Sequence, residues 1–142
     1  MRKSLFLLSI VVVALVACGG TGGSSSDPTA NPWLLESGTL NSEAIPLVDG
    51  HPITLVFDAD LSEAGGVSAC NNYFGGYTLS GDELTFGDLG STMMACSPEE
   101  VMDSETKYLA ALDLVDTFSM SDDRLTLAGD GVDLVFVVDQ AA

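Results

Sequence analysis

Basic residues are what this sequence has least of. Its 142 residues carry 21 acids but only four bases, Arg2, Lys3, Lys107 and Arg124. Nucleic-acid binding needs a basic footprint, so that class of partner is excluded. Docking of the folded part on anionic headgroups is disfavoured by the same imbalance. Histidine is scarcer still: His51 stands alone, in an Asp-Gly-His-Pro turn. The cysteines are three, Cys18, Cys70 and Cys96. They lack further ligands at zinc-like spacing, so no metal site is expected. There is no long hydrophobic run either. The apolar stretch from Leu5 to Val16 is about a dozen residues and contains Ser9, whereas a spanning helix needs about 20.

That short run sits behind Arg2 and Lys3 and ends in Leu15-Val16-Ala17-Cys18, with Gly19-Gly20 following. A basic start, a short apolar core and small residues before a cysteine resemble a bacterial lipoprotein signal. Residues 1–17 are then a signal peptide, and Cys18 is the lipidated N-terminus of the mature chain. A plain secretory signal cut after Ala17 would leave a reactive thiol that itself needs explaining. Several acyl chains, unlike one, anchor stably, so the membrane is the first expected partner. Gly19 in place of an aspartate resembles the pattern sent on to the outer membrane, facing the periplasm. Residues 18–31 read as a Gly/Ser-rich flexible tether with a root-mean-square span of roughly 20 Å. Its glycines follow no strand and open no helix, so they are not a phosphate loop. Loss of Arg2 and Lys3 leaves two bases against 21 acids, a mature net charge of −19. Such acidity keeps the domain soluble, or signals a salty habitat that screens its self-repulsion.

Residues 32–139 are one domain's worth of chain, enough to bury a single core. Trp33 to Ser37 opens it as a strand. Ile53 to Phe57 is β-branched and aromatic and reads as a buried strand. Gly65-Gly66 marks a turn or bulge, Val67 to Cys70 an extended run, and Tyr73 to Leu79 a strand kinked at Gly75-Gly76. Tyr77 to Phe86 and Phe118 to Leu127 share one rhythm: a short alternating strand, a polar turn, then Leu-Thr-apolar. Two hairpins of equal length are expected. Val132 to Val138 supplies a last strand. One helix interrupts them. Ser97-Pro98-Glu99-Glu100 reads as a capping box with Pro at the first helical position. Val101, Met102, Tyr108, Leu109 and Leu112 form its apolar face. Glu105 falls within that stripe. It is either a buried acid with a raised pKa and a function, or a residue bonded to neighbouring backbone at the stripe's edge.

The most informative segment is Ser68-Ala69-Cys70-Asn71-Asn72-Tyr73-Phe74-Gly75-Gly76-Tyr77, followed by Ser91-Thr92-Met93-Met94-Ala95-Cys96 and by Glu105-Thr106-Lys107-Tyr108-Leu109. These stretches, with the opening Trp33-Leu34-Leu35, resemble the META/HslJ-type domain of bacterial envelope proteins. The resemblance runs from about Pro32 to Val138. Its motif positions here are Asn71, Tyr73, Gly76, Tyr77, Thr92, Met94 and Glu105. Gly76 is taken as the family glycine because it directly precedes Tyr77. The resemblance implies a mainly β, α+β fold: a small antiparallel, partly open barrel-like sheet with one packed helix. It also implies a stress-associated envelope protein with no established enzymatic activity, and no cofactor.

With Cys18 set aside, Cys70 and Cys96 are an even pair outside the cytoplasm, a setting that favours a disulfide. Two buried free thiols are the alternative. A nucleophilic Cys70 with His51 and an Asn has the right residue types, but so negative a chain raises thiol pKa values. Asn71 and Asn72 read as turn formers. Asp58-Ala59-Asp60 starts like a calcium loop, yet Glu63 stands at the glycine position and Ala69 at the terminal glutamate position, which excludes an EF-hand. Tyr73, Phe74 and Tyr77 either alternate to give an outward contact surface or all pack inside. The function expected is a lipid-anchored, non-enzymatic envelope protein with a stress-related binding or maintenance role and an unidentified envelope protein partner. The alternative is an inhibitor or chaperone-like module capturing exported proteins.

Overall fold

Strands dominate the computed structural model, which describes residues 27–142. The expected signal peptide over residues 1–17, Cys18 and most of the expected tether lie outside the described residues. The strands are β1 (Trp33–Leu40), β2 (Glu43–Ala44), β3 (Thr54–Asp58), β4 (Glu63–Val67), β5 (Asn72–Ser80), β6 (Glu83–Phe86), β7 (Gly90–Ser91), β8 (Val115–Ser121), β9 (Arg124–Gly129) and β10 (Val132–Val138). One helix, α1 (Glu99–Leu112), separates β7 from β8. All pairings are antiparallel. The sheet runs β10-β9-β8-β6-β5-β4-β3-β1, and β1 pairs back onto β10 from Trp33↔Val138 to Leu40↔Val132. Eight strands thus form a closed ring, while β2 flanks β1 and β7 flanks β5. The mainly β barrel with one helix is as the resemblance implies, and it is closed rather than partly open. Two seams are thin. β1 and β3 share the pairs Trp33↔Leu55 and Leu34↔Thr54, backed by Leu35 N–H donating to Ile53 O at 2.9 Å. β6 and β8 share the single pair Glu83↔Thr117, backed by Phe118 N–H donating to Asp82 O at 2.9 Å.

The two expected hairpins form with matching registers. Tyr77↔Phe86 to Ser80↔Glu83 closes on Gly81-Asp82, and Phe118↔Leu127 to Ser121↔Arg124 closes on Asp122-Asp123. Gly81 and Asp122, the first turn residues, both have positive φ, the backbone sign that matches strand twist in two-residue hairpins. The reading of residues 53–70 needs three corrections. The strand at 54–58 is buried on one face only: Leu55 and Phe57 point inward, and Val56 is exposed. Gly65 and Gly66 lie inside β4 instead of at a turn. Of the run 67–70, Val67 and Ser68 are extended, with Ser68 bridged to Ile53, but residues 69–71 form the β4–β5 turn, with Val67↔Asn72 as the last ladder pair and Ala69 at φ 79°.

Period-two alternation fills the barrel. Leu125 and Leu127 of β9 and Leu134 and Phe136 of β10 point inward with Trp33, Leu35, Leu55, Tyr73 and Leu84. Each such side chain contributes about 1.5–3 kcal/mol of burial. The fold reaches back into the stretch assigned above to the tether. Asp27 caps a short 3-10 turn over Pro28–Ala30, and the buried Trp33 donates its indole N–H to Pro28 O at 2.7 Å.

The helix starts one residue later than the capping box requires. Pro98 itself occupies the cap position with extended backbone, so Ser97 stands outside it and no side chain caps the helix. The first turn closes instead through Val101 N–H to Pro98 O at 3.0 Å. Glu99 and Glu100 still place negative charge at the positive end of the helix dipole. Val101, Tyr108, Ala111 and Leu112 bury the inner face, and Ser104 and Glu105 are buried beside them. The Ser104 hydroxyl donates to Pro46 O at 2.6 Å, fixing the helix to the β2–β3 loop. With its other partners in the β4–β5 turn, α1 closes one end of the barrel.

Candidate functional site

The motif residues converge on Asn71. Its position at the end of the β4–β5 turn aims its side chain under the segment 92–94 and toward α1. The amide nitrogen donates to Glu105 Oε1 at 2.7 Å and to Met94 O at 3.1 Å. The amide oxygen accepts from Met94 N–H at 2.7 Å and from the Thr92 hydroxyl at 2.8 Å. All four hydrogen-bonding positions of the side chain are therefore filled. Only this amide orientation works, since the reverse would set its oxygen against a carboxylate and a carbonyl. Thr92 Oγ1 also accepts from Asn72 N–H at 3.2 Å, and Thr92 N–H donates to Asn72 O at 3.0 Å.

Glu105 is buried, 7% exposed, against the other side of Asn71. Its Oε2 accepts from Asn71 N–H at 2.7 Å and from the Ser68 hydroxyl at 2.7 Å. Burial alone would raise its pKa. The side-chain bonds from Asn71 and Ser68, with the backbone N–H groups of Asn71 and Cys70, outweigh that and hold the carboxyl below its ordinary range. The raised pKa weighed from sequence is therefore overturned: Glu105 is a fully paired carboxylate. Linkage gives the sign. A depressed folded pKa contributes stability that is present above the unfolded value and is lost as pH falls through the folded one. Urea midpoints measured from about pH 7 down to about pH 3 should fall for the native chain. Glu105→Gln should be less stable at neutral pH, and its midpoint should fall less steeply with acid. An equal slope in both chains would remove Glu105 from the account.

Cys70 and Cys96 are joined, with Cα atoms 5.9 Å apart across a separation of 26 residues. The disulfide favoured from the sequence is present, and the free-thiol alternative is not. It ties the segment before α1 to the same turn that carries Asn71. Cys96 N–H donates to the Met102 sulfur at 3.4 Å, a second link from that segment to the helix. His51 does not approach as a catalytic partner. Its Nδ1 lies 3.2 Å from Ala69 O, so it supports the turn backbone.

Tyr73 and Tyr108 carry the polar network inward. Tyr73 donates its hydroxyl to Thr54 O at 2.8 Å and accepts from the Tyr108 hydroxyl at 2.7 Å. The order follows because a carbonyl only accepts. Burial pushes both phenols well above their usual range, so neither ionises as an acid or base near neutral pH. Their rings meet edge to face at 5.6 Å. Tyr77 packs edge-on to Phe57 at 5.0 Å and is half-buried. Of the three aromatics weighed as a contact surface, only Phe74 points outward, 60% exposed. Of the Gly75-Gly76 pair the crowded one is Gly75, where a Cβ would come within 2.8 Å of Asp88 O. At Gly76, chosen from its place before Tyr77, a Cβ would meet only Ser62 O at 3.8 Å.

The Asp58 run makes a turn: Asp58 Oδ1 accepts from Asp60 N–H at 3.0 Å and Leu61 N–H at 3.1 Å. Among the described residues, no group of three His, Cys, Asp or Glu side chains is placed to hold a metal ion, and no helix is long and apolar enough to cross a membrane. Two surface features lie on or beside the motif strands, apart from a cleft of about 720 Å³ at the β10 end beside Leu34, Asp123 and Val137 and one of about 350 Å³ beside Phe118. One is a cleft of about 280 Å³ lined by Thr92, Met93, Met94 and Met102 above the Asn71–Glu105 cluster. The other is a row on the outer face, Val56↔Gly65↔Phe74, that crosses β3, β4 and β5 in register. It flanks a shallow cleft of about 270 Å³ floored by Gly65 and Gly66. Sequence reasoning missed Ser68 and this outer row. Alternation around Val56 was the available signal for the row.

Residues 27–141 match the family described as META domain. A solved NMR structure of a protein from Burkholderia xenovorans is similar over 99% of this chain and 99% of its own, with 27% identity and a TM-score of 0.66. A second NMR structure, 23% identical, shares the fold over 78% of this chain and 90% of its own at a TM-score of 0.59. No curated protein sequence matches the chain.

Proposed function

The chain belongs to the META domain family, and on that premise we propose that it is a lipid-anchored, non-enzymatic binding protein of the bacterial envelope. Cys18 carries the anchor, and residues 19–26 give the barrel reach from the membrane. One observation carries the binding role: the outward row of Val56 and Phe74 around a glycine floor. Val56 is 47% and Phe74 60% exposed. Glycines between them leave room for a partner's side chain, and exposed apolar surface rimmed by Asp58 and Glu63 suits a protein contact. The motif cluster supports a non-catalytic role, because its polar atoms are spent on one another. A stress-related maintenance role, in which the barrel holds an envelope partner, is what the family resemblance implies for such a surface.

A photo-cross-linker placed at Phe74 of the full-length chain in cells tests this reading. Discrete adducts in the membrane fraction are expected, and Cys18→Ser should shift the chain to the soluble fraction. A smear of many exported clients would instead favour the chaperone-like module. Soluble native chain, or no adduct, would sink the proposal.

A further inference from the structure

Met93 and Met94 stand side by side on a segment whose backbone is locked while their side chains are not. Met94 N–H and Met94 O are both held by the Asn71 amide, Thr92 is bonded to Asn71 and Asn72, and Cys96 is bridged to Cys70. The side chains contribute almost nothing to that hold: Met93 is 97% and Met94 54% exposed. The other two described methionines differ. The Met102 sulfur accepts the Cys96 N–H and packs against the core, and Met120 is half-buried against it. Both described cysteines are bonded, so no free thiol among the described residues competes for an oxidant. Thioethers are then the soft nucleophiles that a peroxide or hypohalous acid meets first.

We infer that Met93 and Met94 form a reversible oxidation site, which takes up two equivalents of oxidant without loss of the fold. This stands apart from the binding role above. In each step the sulfur lone pair attacks one peroxide oxygen. The S–O bond forms as the O–O bond breaks, and the leaving hydroxide takes the proton from the transferred oxygen to depart as water. Sulfur loses two electrons, peroxide gains them, and one thioether becomes one sulfoxide. A thiol-dependent methionine sulfoxide reductase would return it to the thioether. Because main-chain bonds and the disulfide fix the segment, the polar sulfoxides project into water and disturb no packing. Oxidation of Met102, in contrast, would disturb the contact that seats Cys96 on the helix.

The test is hydrogen peroxide treatment of the mature protein, with peptide mapping by mass spectrometry and thermal melts over time. Met93, then Met94, should gain oxygen at least about tenfold faster than Met102 and Met120. Tm should be unchanged after the first two additions. The Met93→Leu, Met94→Leu double variant should melt like the native chain, and in it Met102 or Met120 becomes the first residue modified. Oxidation of Met102 or Met120 as fast as Met93, or a Tm that falls in step with the first two oxygens, would overturn the inference.

Discussion

Replacing Asn71 with alanine is expected to destabilise the domain by about 3–5 kcal/mol, the range for a buried charge stripped of a partner. The substitution removes four hydrogen bonds at once. It leaves Glu105 Oε1, the Met94 N–H and carbonyl, and the Thr92 hydroxyl without the partner they share. Each such group costs about 1–3 kcal/mol when it cannot reach water, more when charged. Several sit near the surface and will recover water, which keeps the total below the sum. A domain of this size has about 5–15 kcal/mol in all, so the loss takes a large share of it. Asn71→Asp should be no better than alanine, because it turns a donor 2.7 Å from Glu105 Oε1 into a second carboxylate oxygen. Urea melts at neutral pH decide the matter. A loss under about 1 kcal/mol for Asn71→Ala would mean that the amide is ornamental.

Converting both Cys70 and Cys96 to serine should cost about 3 kcal/mol, the chain-entropy value for a bridge closing a loop of this length. Each single variant should lose about as much as the double, because either one already opens the loop. The same segment is held by Asn71, so the two losses should not add. With the loop open, Met94 has less reason to stay near the amide, and the triple variant should lose less than the sum. Denaturant midpoints for all four chains measure this coupling. Strict additivity would show that the bridge and the amide act independently.

The residue types of this site were legible in the sequence, and their roles only partly so. Cys70 and Cys96 could be paired by count and compartment, and Glu105 stood out as an acid inside an apolar stripe. What answers Glu105 was hidden, since Ser68 lies in a run that composition reads as extended and Asn71 reads only as a local turn former. Chain-local rules see Asn71 as a turn former, and its four partners come from segments over twenty residues away. The hairpins were readable because turn and alternation are local. Closure of the barrel was not, because β1 meets β10 only after a hundred residues have intervened. The helix start was misread by one position, since a proline that fits the first helical turn can also serve as the cap.

The thin seam between β6 and β8 gives the ring a front and a back. Three hairpin-linked strands, β8 to β10, form one leaf, and β1 with β3 to β6 the other. The leaves are hinged along the long β1–β10 ladder and meet again at one pair, Glu83↔Thr117. The molecule is thus a book whose covers meet at a narrow seam, with the helix seated on one cover and reaching the other where Tyr108 meets Phe136 edge to face at 6.5 Å. Glu105, Asn71 and the disulfide keep that helix seated. Were the seam to open, the covers would part with every hairpin intact, and two strand edges would face solvent where the closed ring has none. The Glu83↔Thr117 pair and the Phe118–Asp82 bond are thus what deny another chain an edge to extend at that place.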